Sequence, residues 1–241
     1  MRQRARPVPV GAVAIVAALA ISMALAAVPA AGAAQHRSAK ASSASAAKGK
    51  LLRRSDLPKG WKAAASALTS SSSGTTSSTS QIRQIAACEG VSVSKLGHHP
   101  GTAQISFSRA QAVQFVFESV VVFSSTSGAA EAYRIFASPK APGCVGPMLA
   151  KAIASGATSK GITASSITTA RLAFPKEGSA TTALRLGIPV TSTGQKIQTR
   201  ADFIVIRSGK SVALLVPVSI TKGFPTALAH SLGKKAAARL K

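Results

Sequence analysis

Three consecutive segments near the C-terminal end alternate between apolar and polar or small residues, and this pattern constrains the fold most. Residues 182–190, 197–205 and 212–218 each repeat with a period of two, which is typical of strands that bury one face. Only Ser192-Thr193-Gly194 and the Ser208-Gly209 turn separate them. Turns this short join antiparallel neighbours. The sequence therefore predicts an antiparallel meander.

The residues upstream add another long strand and several helices. Residues 113–123 alternate in the same way, with Gln114, Val116, Glu118 and Val120 on the second face. The other expected strands lie at 103–108 and 162–174, and the expected helices at 80–90, 127–136, 147–154 and from Pro225 onward. Together these segments predict an α+β domain over 81–241, with one antiparallel sheet of about five to six strands and helices packed on it.

The N-terminal residues have the organisation of an export signal. Residues 1–34 contain a basic head, an apolar stretch at 8–28 and a small-residue exit, the order found in cleaved secretory signals. No cysteine lies near the exit, so lipid attachment there is not expected. We expect a secreted, extracytoplasmic product that touches the membrane only if the signal stays uncleaved as an anchor.

Three segments of differing composition follow the predicted signal. Residues 35–50 are rich in Ala, Ser and Lys, and they predict a flexible basic linker. Residues 51–66 contain Trp61, the only tryptophan. Because an indole ring is costly to leave in water, this segment is expected to dock onto the domain. Residues 67–80 form a Ser/Thr-rich stretch and predict a low-complexity loop.

The chain has two cysteines, Cys88 and Cys144. An even number of cysteines in an exported protein predicts a disulfide. The alternative is a pair of reactive thiols, but the chain has no C-x-x-C motif. We therefore expect one disulfide between the early helix and the segment that precedes the third helix.

Charge is strongly asymmetric, with 30 Lys and Arg against six Asp and Glu and a formal net charge of +24 at pH 7. Such a chain attracts polyanions, for example anionic wall polymer, lipid headgroups or extracellular DNA. Solubility together with a basic N-terminal tail explains the same charge equally well. Aromatic residues are only 4% of the chain, and no aromatic strip is interleaved with basic residues. Specific nucleic-acid recognition is therefore not expected.

Motifs for catalysis, cofactors and metals are missing or incomplete. Gly209-Lys210-Ser211 resembles the end of a phosphate-binding loop, but Ile204 stands where the companion glycine is needed. His98 and His99 are adjacent and indicate a surface turn rather than a metal site. Glu118 and Asp202 could be neighbours across the sheet, although an ion pair or solvent exposure explains such carboxylates more simply. No cofactor or metal is predicted.

The order of elements also resembles that of small secreted actinobacterial domains. A Leu-Pro-Lys-Gly-Trp run at 57–61 is followed by a cysteine on an early helix, a long apolar strand and a second cysteine before another helix. This order is similar to the extracellular sensor domain of the PknH-type receptor kinases. That family has a second disulfide, which this chain lacks. The resemblance implies a ligand-binding or envelope role without catalysis, and it implies no site residues.

These observations favour an exported, non-catalytic binding or sensor-like module of the bacterial cell envelope, expected to be a monomer. A sheet covered by helices on one face could hold an apolar cleft for a small ligand, or simply a core, formed by Trp61, Phe115, Phe117 and Phe136. One alternative is a basic protein that adheres to anionic wall polymer, lipid or DNA. A second is a wall hydrolase that uses Glu118 or Asp202.

Overall fold

The structure is a computed structural model, and it describes residues 44–63, 75–94, 101–109, 113–157, 162–164, 167–192, 195–220 and 223–241. The predicted signal at 1–34, most of the predicted linker and the His98-His99 turn lie outside these residues. Within the part of the chain that is described, no helix is both long and apolar enough to cross a membrane.

The described elements alternate between sheet and helix along the chain. A short helical stretch at 44–49 and a 3-10 turn at Arg54–Asp56 come before the first strand. The strands and long helices are β1 (Lys62–Ala63), α1 (Thr75–Glu89), β2 (Gly101–Arg109), β3 (Gln114–Val122), α2 (Thr126–Ala137), α3 (Ala141–Ala157), β4 (Ile162–Ala164), β5 (Thr168–Arg171), β6 (Ala180–Ser192), β7 (Gln195–Ser208), β8 (Ser211–Ile220) and α4 (Thr226–Arg239).

All eight strands belong to one antiparallel sheet, so the predicted fold class is confirmed. The order is β1-β2-β3-β8-β7-β6-β4, and β5 also pairs with β6. The meander β6-β7-β8 forms as the alternation predicted, and β3 lies against β8 at the centre of the sheet. The sheet has more strands than expected for two reasons. The very short strand β1 was not predicted, and the segment predicted as one strand at 162–174 forms two, β4 and β5.

Helices α1, α2 and α3 pack on one face of the sheet, which we call the three-helix face. The apolar residues of the alternating segments point to this face, as expected. They pack with Ile85, Ile135 and Val145 of the three helices. The strand residues of this layer include Phe117, Val121, Leu184, Leu186, Ile188, Val190, Ala201, Val205, Val212, Val216 and Val218.

The opposite face of the sheet is also covered, which corrects the expectation of helices on a single face. Helix α4 and residues 44–61 pack on this face, which we call the α4 face. The strand residues that lie between those facing the three helices, such as Ile204 and Leu215, are fully buried on this face. The sheet is therefore the middle of three layers, and its central strands are buried on both sides.

The N-terminal segment is fixed to the C-terminal helix. Ala47 is fully buried, and the Lys50 ammonium donates hydrogen bonds to the carbonyl oxygens of Leu240 and Lys241, each at 2.8 Å. Asp56 forms an ion pair with Arg239 at 2.8 Å. The end of the predicted flexible linker is thus ordered, because apolar and polar partners 190 residues away hold it in place.

The predicted disulfide is present and joins Cys88 of α1 to Cys144 of α3. Helix α1 begins at Thr75, inside the range predicted as a Ser/Thr-rich loop. Its buried residues Ile82, Ile85 and Ala86 belong to the three-helix core. Tertiary packing and the covalent link therefore outweigh the weak helical preference of the serines and threonines that begin this helix.

Gly178 lies just before β6 and tests how closely the chain packs against the end of β7. It has a φ of +64°, and a methyl group added to it would lie 2.6 Å from the carbonyl oxygen of Arg207. Gly209 has a similar φ of +55° with open space around it. The left-handed conformation alone costs a side chain about 1 kcal/mol. We expect Gly209→Ala to lose that amount and Gly178→Ala to lose about 1 to 3 kcal/mol more, as measured by urea unfolding. Equal losses would contradict the close approach at Gly178.

Candidate functional site

Four polar residues form a continuous row across the α4 face at one end of the sheet. Arg109 of β2 pairs with Gln114 of β3, Gln114 with Ser219 of β8, and Ser219 with Arg200 of β7. Directly opposed residues have Cβ atoms about 4.5 to 5.5 Å apart and point to the same side of a sheet. We call these four residues the polar row. The row lies at the end of β2 and the start of β3, whereas β7 continues beyond it to Gln195.

Two aromatic residues cover this end of the α4 face. Trp61 precedes β1, in which Lys62 pairs with Ser108, so Trp61 lies next to Arg109 in the sheet. The centroids of the Trp61 and Phe224 rings are 6.0 Å apart with an interplanar angle of 52°. Both rings are buried. They form an apolar cover beside the polar row.

The backbone next to each aromatic ring approaches one arginine of the row. A methyl group placed on Gly60 would lie 3.7 Å from Arg109 Nε, and one placed on Gly223 would lie 3.8 Å from Arg200 Nη1. The two ends of the row are therefore in contact with the segments that carry the two rings.

Three polar atoms in this arrangement are buried without hydrogen-bond partners among the described residues. They are Gln114 Oε1, Arg109 Nε and Trp61 Nε1. Gln114 is only 8% exposed and Trp61 only 1%. A buried polar group that makes no hydrogen bond costs about 1 to 3 kcal/mol, so native proteins keep few of them. Of the seven such atoms among the described residues, three therefore lie in this one arrangement.

The arginines of the row have no acidic partner. All six acidic residues of the chain lie in described segments. The ion pairs found there join Arg134 to Glu131, Arg185 to Asp202 and Arg239 to Asp56. None of them includes Arg109 or Arg200. The polar row therefore has two guanidinium groups that no carboxylate of the described residues neutralises.

Asp202 lies next to the row, but its carboxylate is bound by Arg185 of the neighbouring strand. Arg185 donates two hydrogen bonds to its carboxylate, at 2.7 and 2.9 Å. The two residues are direct neighbours on β6 and β7. The expected cross-strand ion pair is confirmed for Asp202. The ion pairs of the described residues include none between Asp202 and Arg200.

Glu118 behaves differently, and the expectation of an ion pair or solvent exposure was wrong for it. The side chain is 0% exposed, and its Oε2 accepts a hydrogen bond from the Leu52 amide at 2.6 Å. Its Oε1 has no partner among the described residues. Burial raises the pKa of Glu118 to about 7, while the Leu52 hydrogen bond and the charge of Arg239 act in the opposite direction.

The structure does not present Glu118 and Asp202 as a pair facing one cleft. Both lie on the α4 face, but on β3 and β7, which β8 separates. Residues around Leu52 cover Glu118, and Arg185 holds Asp202. Within the described residues, no group of three or more His, Cys, Asp or Glu is arranged to hold a metal ion.

The four aromatic residues predicted as one cleft or core are divided between the two faces. Phe117 and Phe136 are buried on the three-helix face, where half-buried Phe115 packs against them. Trp61 is buried on the α4 face. The sheet lies between the two sets, so the set does not form one cleft.

Sequence reasoning missed the polar row. Gln114 was recognised on the second face of its strand, but its neighbours come from three other segments. Arg109, Ser219 and Arg200 align with it only once β3 is known to lie between β2 and β8. A signal existed for two of the four, because Arg109 and Gln114 continue the alternation of the buried α4-face residues Phe107 and Val116. Ser219 and Arg200 gave no such signal, since Pro217 and Asp202 stand two residues from them.

Comparisons with known proteins give limited information. No protein-family model matches the chain. No characterised protein sequence gives a significant match. Among solved structures, the chain is similar to the extracellular domain of PknH from Mycobacterium tuberculosis, with 10% sequence identity and a TM-score of 0.30. This match covers 58% of the present chain and 61% of that one, so it spans less than two thirds of the known domain. It is a weak structural resemblance.

Proposed function

We propose that this protein is an exported, non-catalytic binding module of the cell envelope, and that the polar row holds an anionic group of its ligand. The observation that carries the proposal is that Arg109 and Arg200, which form no ion pair with the described acids, lie beside three buried polar atoms that have no hydrogen-bond partner among the described residues, Gln114 Oε1, Arg109 Nε and Trp61 Nε1. Guanidinium groups are well suited to carboxylate and phosphate, because their hydrogen-bond geometry matches these anions.

The disulfide supports the extracytoplasmic part of the proposal. Disulfides persist in oxidising compartments and are rare in the cytosol. The Cys88–Cys144 bond therefore agrees with the export signal expected from residues 1–34. An anionic envelope polymer is the partner that best matches both this location and the excess of basic residues.

The proposal predicts that the row, and not overall charge, controls binding. The probe is poly(glycerol phosphate) and the readout is the emission of Trp61, the only tryptophan, beside the row. We expect Arg109→Gln and Arg200→Gln each to weaken binding roughly tenfold, the scale of one charge-assisted hydrogen bond. Arg83→Gln is the matched control, because Arg83 is an exposed arginine on α1 at the other face. It should change affinity less than about twofold.

Two outcomes would overturn the proposal. In the first, the polymer gives no binding in a pull-down assay with the oxidised full-length protein. In the second, all three variants lose affinity equally and Trp61 emission is unchanged.

Diffuse electrostatic adhesion is the second candidate, and the large excess of Lys and Arg over Asp and Glu favours it. Binding of that kind falls steeply and uniformly as salt rises, because it depends on the number of charges neutralised. Equal effects of Arg83→Gln and Arg109→Gln would support this function in place of the first.

A further inference from the structure

We propose that the N-terminal segment, residues 44–61, is a pH-released strap that opens from the α4 face when the buried Glu118 carboxyl beneath it loses its proton. The rest of the domain stays folded when this segment opens. The opening is a property of the fold, and it does not depend on the proposed function.

One hydrogen bond joins the N-terminal segment to the sheet among the described residues. The Leu52 amide donates to Glu118 Oε2 at 2.6 Å. The other backbone hydrogen bonds of the segment stay within it. Its side-chain bonds at Lys50 and Asp56 go to α4 and to the two residues after it. The segment can therefore leave the sheet without breaking any strand pairing.

Apolar contacts hold the segment closed as long as Glu118 is neutral. Its buried apolar residues are Ala47, Leu51, Leu52, Leu57 and Trp61. They pack in one cluster with Leu232 and Ala236 of α4 and with the strand residues of the same face. Burial of this apolar surface favours the closed form, so opening needs a specific unfavourable change beneath the segment.

Ionisation of Glu118 supplies that change. The side chain is 0% exposed, and its Oε1 atom has no partner among the described residues. Its direct neighbours in the sheet, Ile105 of β2 and Leu215 of β8, are apolar and cannot donate a hydrogen bond to it from their side chains. A buried carboxylate with so few donors is costly. Because Leu52 covers it, water solvates the charge once the N-terminal segment opens.

The charged groups around Glu118 do not compensate for its burial. Burial raises the pKa of Glu118 to about 7, although the Leu52 hydrogen bond and the charge of Arg239 on α4 lower it, and Asp56 of the N-terminal segment raises it further. The ammonium groups of Lys50 and Lys235 donate to backbone carbonyl oxygens where the segment meets α4. In the open form the carboxyl returns to its ordinary pKa of 4.5.

The sign of the pH effect follows from these two values. The bound proton stabilises the closed form fully below about pH 4.5, and this stabilisation is lost as pH rises through about 7. Between about pH 5.5 and pH 8.5 the equilibrium constant for opening should rise roughly 30-fold.

The test is native-state hydrogen exchange of the oxidised full-length protein at these two pH values, with each rate corrected for the intrinsic pH dependence of exchange. The probes are the amides of Leu52, Asp56 and Leu57, and the references are amides of β7 and β8. If the N-terminal segment opens by itself, its amides should exchange much faster than the references and depend little on added denaturant. Their protection should fall roughly 30-fold from the lower to the higher pH.

Three variants separate the role of Glu118 from general loosening. Glu118→Gln should abolish the fall in protection, because glutamine carries no charge and keeps an acceptor for the Leu52 amide. Asp56→Asn removes the ion pair with Arg239, and it should increase opening roughly two- to fivefold at both pH values while the pH dependence remains. Glu131→Gln is the matched control on α2, and its protection should follow that of the wild type.

Two results would overturn the inference. In the first, the probe amides share the exchange free energy and the denaturant dependence of β7 and β8, so that the N-terminal segment leaves only when the domain unfolds. In the second, the segment opens separately, but its protection changes less than about threefold between the two pH values or falls equally in Glu118→Gln.

Opening also removes Trp61 from the polar row, and this consequence alone rests on the proposed function. We expect the affinity for poly(glycerol phosphate), whose phosphodiester groups stay ionised throughout this range, to rise more with pH in the wild type than in Glu118→Gln. Equal pH dependence in both proteins would overturn control of the row by the N-terminal segment. The exchange experiment contains no ligand, so a failure of the proposed function leaves its result intact.

Discussion

Replacing Cys88 and Cys144 together with alanine is expected to lower the free energy of unfolding by about 4 kcal/mol. The bond closes a loop with a sequence separation of 56 residues, and the chain-entropy relation assigns about 4 kcal/mol to a loop of this size. That loss is a large part of the 5 to 15 kcal/mol by which a typical domain is stable. The bond also connects α1 to α3, so α1 is the element most weakened by its removal.

Denaturant unfolding measures this effect, and the wild-type protein with its disulfide reduced is the matched control. The reduced wild type and the double variant should unfold at nearly the same denaturant concentration. Hydrogen exchange should show the largest loss of protection in α1. A double variant within about 1 kcal/mol of the oxidised protein would show that the loop model does not describe this bond.

Glu118→Gln is expected to make the protein more stable in alkaline solution and to remove a pH dependence. The pKa of Glu118 is about 7 in the folded protein, against an ordinary value of 4.5. Between these values the folded state binds a proton that the unfolded state has released. The resulting stabilisation is complete below about pH 4.5 and is lost as pH rises through about 7. At 1.36 kcal/mol for each pH unit, the loss approaches about 3 kcal/mol.

Glutamine has nearly the same shape, keeps an acceptor for the Leu52 amide and carries no charge. We therefore expect the variant to match the wild type near pH 4.5 and to exceed it by up to about 3 kcal/mol at pH 9, as measured by urea unfolding across pH. Glu131→Gln is the control, because Glu131 pairs with exposed Arg134 on the same helix and should change stability by less than about 1 kcal/mol. A Glu118→Gln protein less stable than the wild type at pH 9 would contradict the argument.

The raised pKa of Glu118 also links pH to the packing of the N-terminal segment that covers it. Leu52 contacts Glu118 directly, and Asp56 and Lys50 hold the same segment to α4. Ionisation of Glu118 places an incompletely solvated charge beneath this segment, which weakens its packing. Trp61 follows in the same segment. The residue that covers the polar row and the residues that cover Glu118 therefore belong to one stretch of the chain.

The prediction of the fold succeeded where the information was local. The period of two in β6, β7 and β8 identified both the strands and the side chains that face the three-helix core. The single cysteine pair identified the link between α1 and α3. Helix boundaries were less accurate, as with α1, whose first residues are Ser and Thr and show no apolar period.

By itself, the sequence determined the strand alternation, the antiparallel meander, the cysteine pairing and the excess of basic charge, because each depends on neighbouring residues or on composition. Only the tertiary structure decided that β3 lies against β8, that both faces of the sheet are covered, and that Leu52 covers Glu118. It also brought the polar row together from four strands. It placed Trp61 on the opposite face of the sheet from Phe115, Phe117 and Phe136. These features come from pairing between distant segments, and such pairing is set by how the whole chain buries its apolar surface.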